Sequence, residues 1–328
     1  MIPFSKQRTV QTVMAFMAGL CPGMALPPVD YKKKGSSYGY LDPDYLPLLN
    51  NFSTVDFDTM AFKREAYREL SELFPPSYSY LEEMLRMSNS EYAKSKGLEH
   101  FDDLVGVRLD FFDGKGNRLE PTMLGGLRDA NMASDAFILN YLGSRSDADS
   151  LLGRPIGYYD WKALASVKDH YGHILFSKAP IIAVNVSHRM LTRIYMEMNN
   201  KGRKYSFFCT HDSMLESLLA ALRVRPYELS SIESKTPIGV KLLFEVWQEK
   251  SSTNPEKYVR VRLVYQSSEQ IREMQHLTLD NPPMSCELSF TGLEKATNGL
   301  YRFDDFMSHL QKSLKAYDAT AKGKHPWE

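Results

Sequence analysis

Thr210-His211-Asp212 sets a hydroxyl, an imidazole and a carboxyl side by side. An apolar run, Tyr205, Phe207, Phe208 and Cys209, leads into the triplet, and Met214, Leu215, Leu218, Leu219 and Leu222 follow it at helical spacing. This is the pattern of strand, short turn and helix. In open α/β sheets, ligands bind beyond the carboxyl ends of the strands, where such turns lie. A helix start adds unpaired N–H groups and a partial positive charge, both suited to a phosphate. Each residue also has a plainer role. Asp212 could cap the helix, His211 could be a structural polar residue, and Thr210 could satisfy the turn. Cys209 reads as inert core.

Other groupings carry less. Asp169, His170 and His173 have one-turn spacing but no defined third ligand, so a helix surface is expected there and no metal is assigned. His188-Arg189 sits inside a helical pattern. Gly114 and Gly116 follow a possible strand without the third glycine of a dinucleotide loop. Tyr38, Tyr40 and Tyr45 read as packing of an irregular segment, and Lys32 to Lys34 as a solvated loop. Cys21, Cys209 and Cys286 lack CxxC spacing, so they support neither a zinc site nor a disulfide framework, although one disulfide stays open.

Composition sets the frame for these residues. The 328 residues are 43% hydrophobic and 24% charged, enough for one large domain or a core domain with an insertion. Lysine plus arginine equals aspartate plus glutamate at 40 each, so no bulk electrostatic case for nucleic acid or a membrane surface arises. The apolar stretch 13–26 is interrupted at Cys21-Pro22-Gly23. Val10, Val13, Met14 and Met17 space as one helical face, so a helix of the fold is expected rather than a signal peptide. No stretch reaches transmembrane length.

Along the chain, residues 27–60 read as irregular, and 61–104 as helical. A short strand is expected over 105–112. Helices are expected over 127–143, 160–175, 179–200 and after Asp212. IGVKLLFEVW, from Ile238, and YVRVRLVY, ending at Tyr265, read as two strands joined by a polar loop. Mixed α/β order, a long helical middle and α/β again imply an α/β domain with a helical insertion.

Five segments, in order, resemble the histidine acid phosphatase family, in the branch of bacterial phytases and glucose-1-phosphatases. They are SKQRTVQTVMAFMAGLCPG, GGLRDANMASDAFILNYLGS, FFCTHDSMLESLLAAL, TPIGVKLLFEVWQ and VRVRLVYQSSEQIREMQHLTLDNPP. The resemblance implies a three-layer α/β core (residues 1–44 and 166–328) with a mainly helical cap over 45–165. It implies hydrolysis of phosphomonoesters, of the sugar phosphate or inositol phosphate class, through a phosphohistidine and without cofactor or metal. Carried over, Arg8 and Thr210 would bind substrate, His211 would contact phosphate and Asp212 would protonate the leaving oxygen. Export to the periplasm or medium is also implied. The family's RHGxRxP signature, which holds the nucleophilic histidine, is not matched, since none of the eight histidines is followed by Gly-x-Arg. The expectation is a chain without that strand and the next one, inactive as it stands. The alternative is a phosphate-binding or partner-binding remnant of the fold. Oligomeric state stays open.

Overall fold

The structure is a computed structural model. It describes residues 2–3, 7–25, 55, 58, 61–62, 64–66, 68–69, 75–97, 100, 108–110, 122–124, 126–146, 157–250 and 255–327. The first half contains β1 (Ile2–Pro3), α1 (Gln7–Leu20), α2 (Pro75–Leu85), a 3-10 turn (Met87–Asn89), α3 (Glu91–Lys96), β2 (Arg108–Asp110), β3 (Thr122–Leu124) and α4 (Gly126–Gly143). The second contains α5 (Tyr158–Gly172), a π turn (His173–Ser177), α6 (Pro180–Met198), β4 (Phe208–Cys209), α7 (Asp212–Ala221), β5 (Lys241–Gln248), β6 (Lys257–Tyr265), α8 (Ser268–Arg272), β7 (Met284–Glu287), β8 (Tyr301–Arg302) and α9 (Phe303–Thr320). The architecture is α/β with a mainly helical stretch ahead of α5, as the alternation of patterns predicts.

The strongest strand signal is realised residue for residue. In β6, Val259, Val261, Leu263 and Tyr265 are buried at every second position. The intervening Arg260 and Arg262 face away and meet Glu245 of β5, with Nε–Oε2 distances of 2.9 and 2.8 Å. Glu245 lies directly opposite Arg260 in the antiparallel register, so the pattern on both faces fixes one pairing. β6 also pairs antiparallel with β7 and β8.

Helix α7, which carries the His-Asp turn, is fastened at several points. Ser217 Oγ donates to Phe176 O of the π turn at 2.9 Å. At its far end, Ser313 Oγ donates to Ala221 O at 2.8 Å, and His309 Nε2 donates to Leu222 O at 2.7 Å. These two α9 side chains satisfy carbonyls that a helix end leaves unpaired. Donation from Nε2 fits a neutral His309, and burial lowers its pKa, ahead of the opposing effect of that bond.

Four sequence expectations need correction. In α1 the buried face is Thr9, Val13 and Met17; of the predicted face Val13 and Met17 are buried, but Val10 is only partly so and Met14 is exposed. The helix seats itself by aromatic stacking of Phe16 on Phe207, with centroids 4.3 Å apart, and this sets its rotation. Second, a strand does lead into Gln7-Arg8-Thr9. Ile2 and Pro3 pair in parallel with Phe208 and Cys209. Third, Asp169, His170 and His173 are half-buried rather than on an open helix surface. Asp169 accepts from Ser234 Oγ at 2.8 Å, and His173 Nδ1 lies 2.8 Å from Ser177 Oγ. Among the described residues no such group could hold a metal ion. Fourth, the helix predicted over 160–175 stops at Gly172, where the backbone passes into the π turn.

Elements with no counterpart among the expectations include β3, which pairs with β2, β7 and β8, which pair with β6, and the helices α8 and α9. Lys32 to Lys34, Tyr38, Tyr40, Tyr45, Gly114 and Gly116 lie outside the described residues. All three cysteines are free. Among the described residues no helix is long and apolar enough to cross a membrane.

Phe306, fully buried on α9, contacts Phe244, Phe290 and Tyr301 at centroid distances of 5.9, 5.6 and 6.2 Å. Phe306→Ala should lower unfolding free energy by about 3–5 kcal/mol in chemical denaturation, and a loss under about 1 kcal/mol would show that this cluster does not join α9 to the sheet.

Candidate active site

The turn after β4 brings together residues from four helices. α1 enters directly from β1, which runs beside β4, so Arg8 at its second position faces the turn. Arg8 Nη2 lies 3.2 Å from His211 Nδ1. A guanidinium has no acceptor, so Nδ1 accepts and a neutral imidazole carries its proton on Nε2. His211 is the N-cap of α7, with extended backbone and no capping bond from its side chain. Its Nε2–H is thereby the ring's donor. Thr210 Oγ1, between strand and cap, is enclosed without a hydrogen-bond partner among the described residues.

Asp212 is the first residue of α7. Its Oδ1 accepts from Ser213 N at 2.9 Å, and its Oδ2 pairs with Lys168 Nζ of α5 at 3.0 Å. The same ammonium pairs with Asp135 Oδ1 of α4, also at 3.0 Å. Burial opposes ionisation of Asp212, but the Lys168 charge and hydrogen bond, the Ser213 amide and the His211 side chain outweigh it and hold its carboxyl below the usual carboxylate value. Burial also opposes the charge on Lys168, and the two aspartates more than reverse that, raising its pKa.

Behind this pair stands a second acid. Glu216 is one turn further along α7, with its carboxylate against Gly172 at the end of α5. A Cβ at residue 172 would lie 2.3 Å from that carboxylate, so any larger residue there would displace the Glu216 side chain. Thr236 Oγ1 donates to Glu216 Oε1 at 3.4 Å, and Oε2 has no partner among the described residues. Burial, then the charges of Asp212 and Asp169, push Glu216 well above the ordinary carboxyl value. Burial likewise raises Asp169, against bonds from Ser234 and the Lys235 amide.

Every site residue expected from the sequence therefore falls in one cluster: Arg8, Thr210, His211 and Asp212. Lys168, Asp135 and Glu216 were missed. Glu216 had a local signal, an acid at i+4 from Asp212 within the apolar helical pattern. Lys168 and Asp135 had none, since only the packing of α4 and α5 against α7 brings them near. The array can bind an anion through one guanidinium, one imidazole N–H, one hydroxyl and a helix N-terminus, beside a carboxyl able to exchange a proton.

No family model matches the chain. It is 30% identical over 324 residues to a glucose-1-phosphatase of Providencia rettgeri, covering 95% of this chain and 72% of the relative. It is 28% identical over 319 residues to a glucose-1-phosphatase of Salmonella typhimurium, with 95% and 73% covered. Among solved structures, a phytase from Citrobacter braakii superposes with a TM-score of 0.75 at 23% identity, and a Hafnia alvei phytase with 0.77 at 20%. Both superpositions cover 95% of this chain and 78% of the other.

The raised pKa of Glu216 has a measurable consequence. A carboxyl that stays protonated in the fold lends stability that is complete below its unfolded value, 4.5, and is lost as pH rises toward its folded value. Glu216→Gln keeps the neutral form at every pH. Its stability relative to wild type should be flat below the unfolded value and climb above it by about 1.4 kcal/mol per pH unit. Thermal denaturation across the acidic to neutral range checks this, and a pH-independent difference would contradict it.

Proposed function

The chain belongs to the histidine acid phosphatase family, and on that premise we propose that Arg8, Thr210 and His211 hold the phosphate of a phosphomonoester while Asp212 serves its leaving oxygen. The observation that carries this reading is the bond from Arg8 Nη2 to His211 Nδ1. It leaves the imidazole's other nitrogen as a donor on the residue that caps α7, and a helix start favours an anion. Arg8 brings a permanent charge and planar donors that match phosphate oxygens.

Phosphate transfer to a histidine would release the alcohol. Positive charge at the equatorial oxygens and a proton at the departing oxygen both lower that barrier. Asp212, whose carboxyl Lys168 and the Ser213 amide hold below the usual carboxylate value, must then gain a proton. A bound phosphate dianion favours that gain, because like charge disfavours a second anion beside it. Sugar phosphates or inositol phosphates are the proposed substrates, on the strength of what the relatives are called. Export to the periplasm or medium is proposed on the family resemblance alone.

None of the eight histidines has the Gly-x-Arg context of the family nucleophile. We therefore assign to these 328 residues the binding and acid part of the centre, with hydrolysis requiring a nucleophile-bearing segment outside them. The same observation favours a second reading, a non-catalytic phosphate-binding protein. Turnover separates the two once such a segment is supplied.

Titration calorimetry with inorganic phosphate is the test. The wild-type chain should bind it, and Arg8→Ala and His211→Ala should each weaken binding by about 1.5–3 kcal/mol, the range of a charge-assisted hydrogen bond. Unchanged affinity in both variants would reject the site. Turnover of p-nitrophenyl phosphate by the 328-residue chain should stay at background, since losing a covalent nucleophile removes several orders of magnitude in rate. Turnover that Asp212→Asn abolishes would reject the missing-nucleophile assignment.

A further inference from the structure

A general acid must carry its proton when the leaving group departs. An ammonium 3.0 Å from Asp212 works against that. Yet Lys168 has a second carboxylate at the same distance, Asp135 on α4. It can release Asp212 without becoming an unpaired cation, which its 21% side-chain exposure would make unfavourable. Lys168 lines a recess with Ile138, Leu142, Ala165, Ile238 and the carboxylate Glu233, and a lysine can keep its stem on such an apolar surface while its head moves.

We propose that Lys168 is a positioning residue that passes wholly to Asp135 when an anion fills the turn at His211, leaving Asp212 to take a proton from solvent. The inference rests on the reading of Asp212 as proton donor. The anion's negative charge raises the proton affinity of Asp212, and Asp135 keeps the lysine paired. When the P–O bond breaks, the proton goes to the departing alkoxide oxygen. Asp212 is again a carboxylate and regains its share of Lys168. Asp135 thereby links the helix α4 to the acid of the site.

Other groups act on the same equilibrium. The Ser213 amide and His211, which Arg8 of α1 contacts, favour the ionised Asp212. Glu216 faces it from one turn along α7, and Asp169 of α5, bonded to the Lys235 amide, faces Glu216. None of these is shared between two carboxylates in the way Lys168 is, so Lys168 is the group whose movement is tested.

Sulfate is a suitable probe, being a dianion that does not titrate in the mildly acidic range. Calorimetry in two buffers of different ionisation enthalpy counts protons taken up on binding. The wild-type chain should take up about one proton per sulfate. Asp135→Asn keeps the shape but leaves Lys168 only Asp212, so uptake should fall below about half a proton and affinity should drop about tenfold. Lys168→Met should move the uptake about one unit higher in pH. Wild-type uptake and affinity in Asp135→Asn would overturn the proposal. Should sulfate not bind at all, the phosphate-site reading falls, and the clamp is still decided by carbon-13 NMR titration of the Asp212 carboxyl in the free chain. There Lys168→Met should raise the midpoint and Asp135→Asn should lower it; one midpoint in all three proteins would overturn the clamp.

Discussion

Asp212, the carboxyl proposed to give up a proton, sits at the start of a helix, beside a lysine. Both neighbours favour its anion, as does the Ser213 amide that bonds it. This constraint organises the centre. Asp212 is held in place by the interactions that keep it ionised, and its work requires something that reverses them. A phosphate arriving at His211 and Arg8 is such a thing, because it brings negative charge to the same helix end. Under the proposed function the acid is loaded by substrate, and it need not hold a proton in its absence.

The rest of the fold fixes the geometry that this requires. α7 can neither slide nor rotate freely, since α9 holds its last carbonyls and the π turn holds Ser217. α1 enters from a strand parallel to β4, so Arg8 and His211 are brought together by adjacent strand ends. α4 and α5 supply Asp135 and Lys168, and Gly172 admits Glu216 behind them. Four helices thereby place their polar residues around one turn, with Met214, Leu215, Leu218 and Leu219 of α7 buried behind it.

Much of this was legible where the chain encodes local structure. The apolar run before Thr210, the helical spacing after Asp212 and the strict alternation in β6 each specify an element without help from tertiary contacts. The family segments added Arg8, which no pattern near residue 8 would single out. The chain was opaque where tertiary packing decides. Rotation of α1 follows from Phe16 stacking on Phe207, a contact between residues far apart in sequence. Lys168 is one of many lysines until α5 packs beside α7. Asp169 looked like a surface residue because its partners, Ser234 and the Lys235 amide, come from a distant loop. Helix α9 was legible in principle, since Phe306, Met307, Leu310 and Ser313 form its buried stripe.

The account stands or falls on where an oxyanion binds. A crystal structure of the chain with tungstate shows this directly. The anion should lie at the N-terminus of α7, within hydrogen-bonding distance of His211 Nε2 and of the Arg8 guanidinium. Tungstate bound elsewhere, with the turn at His211 empty under saturating conditions, would contradict it.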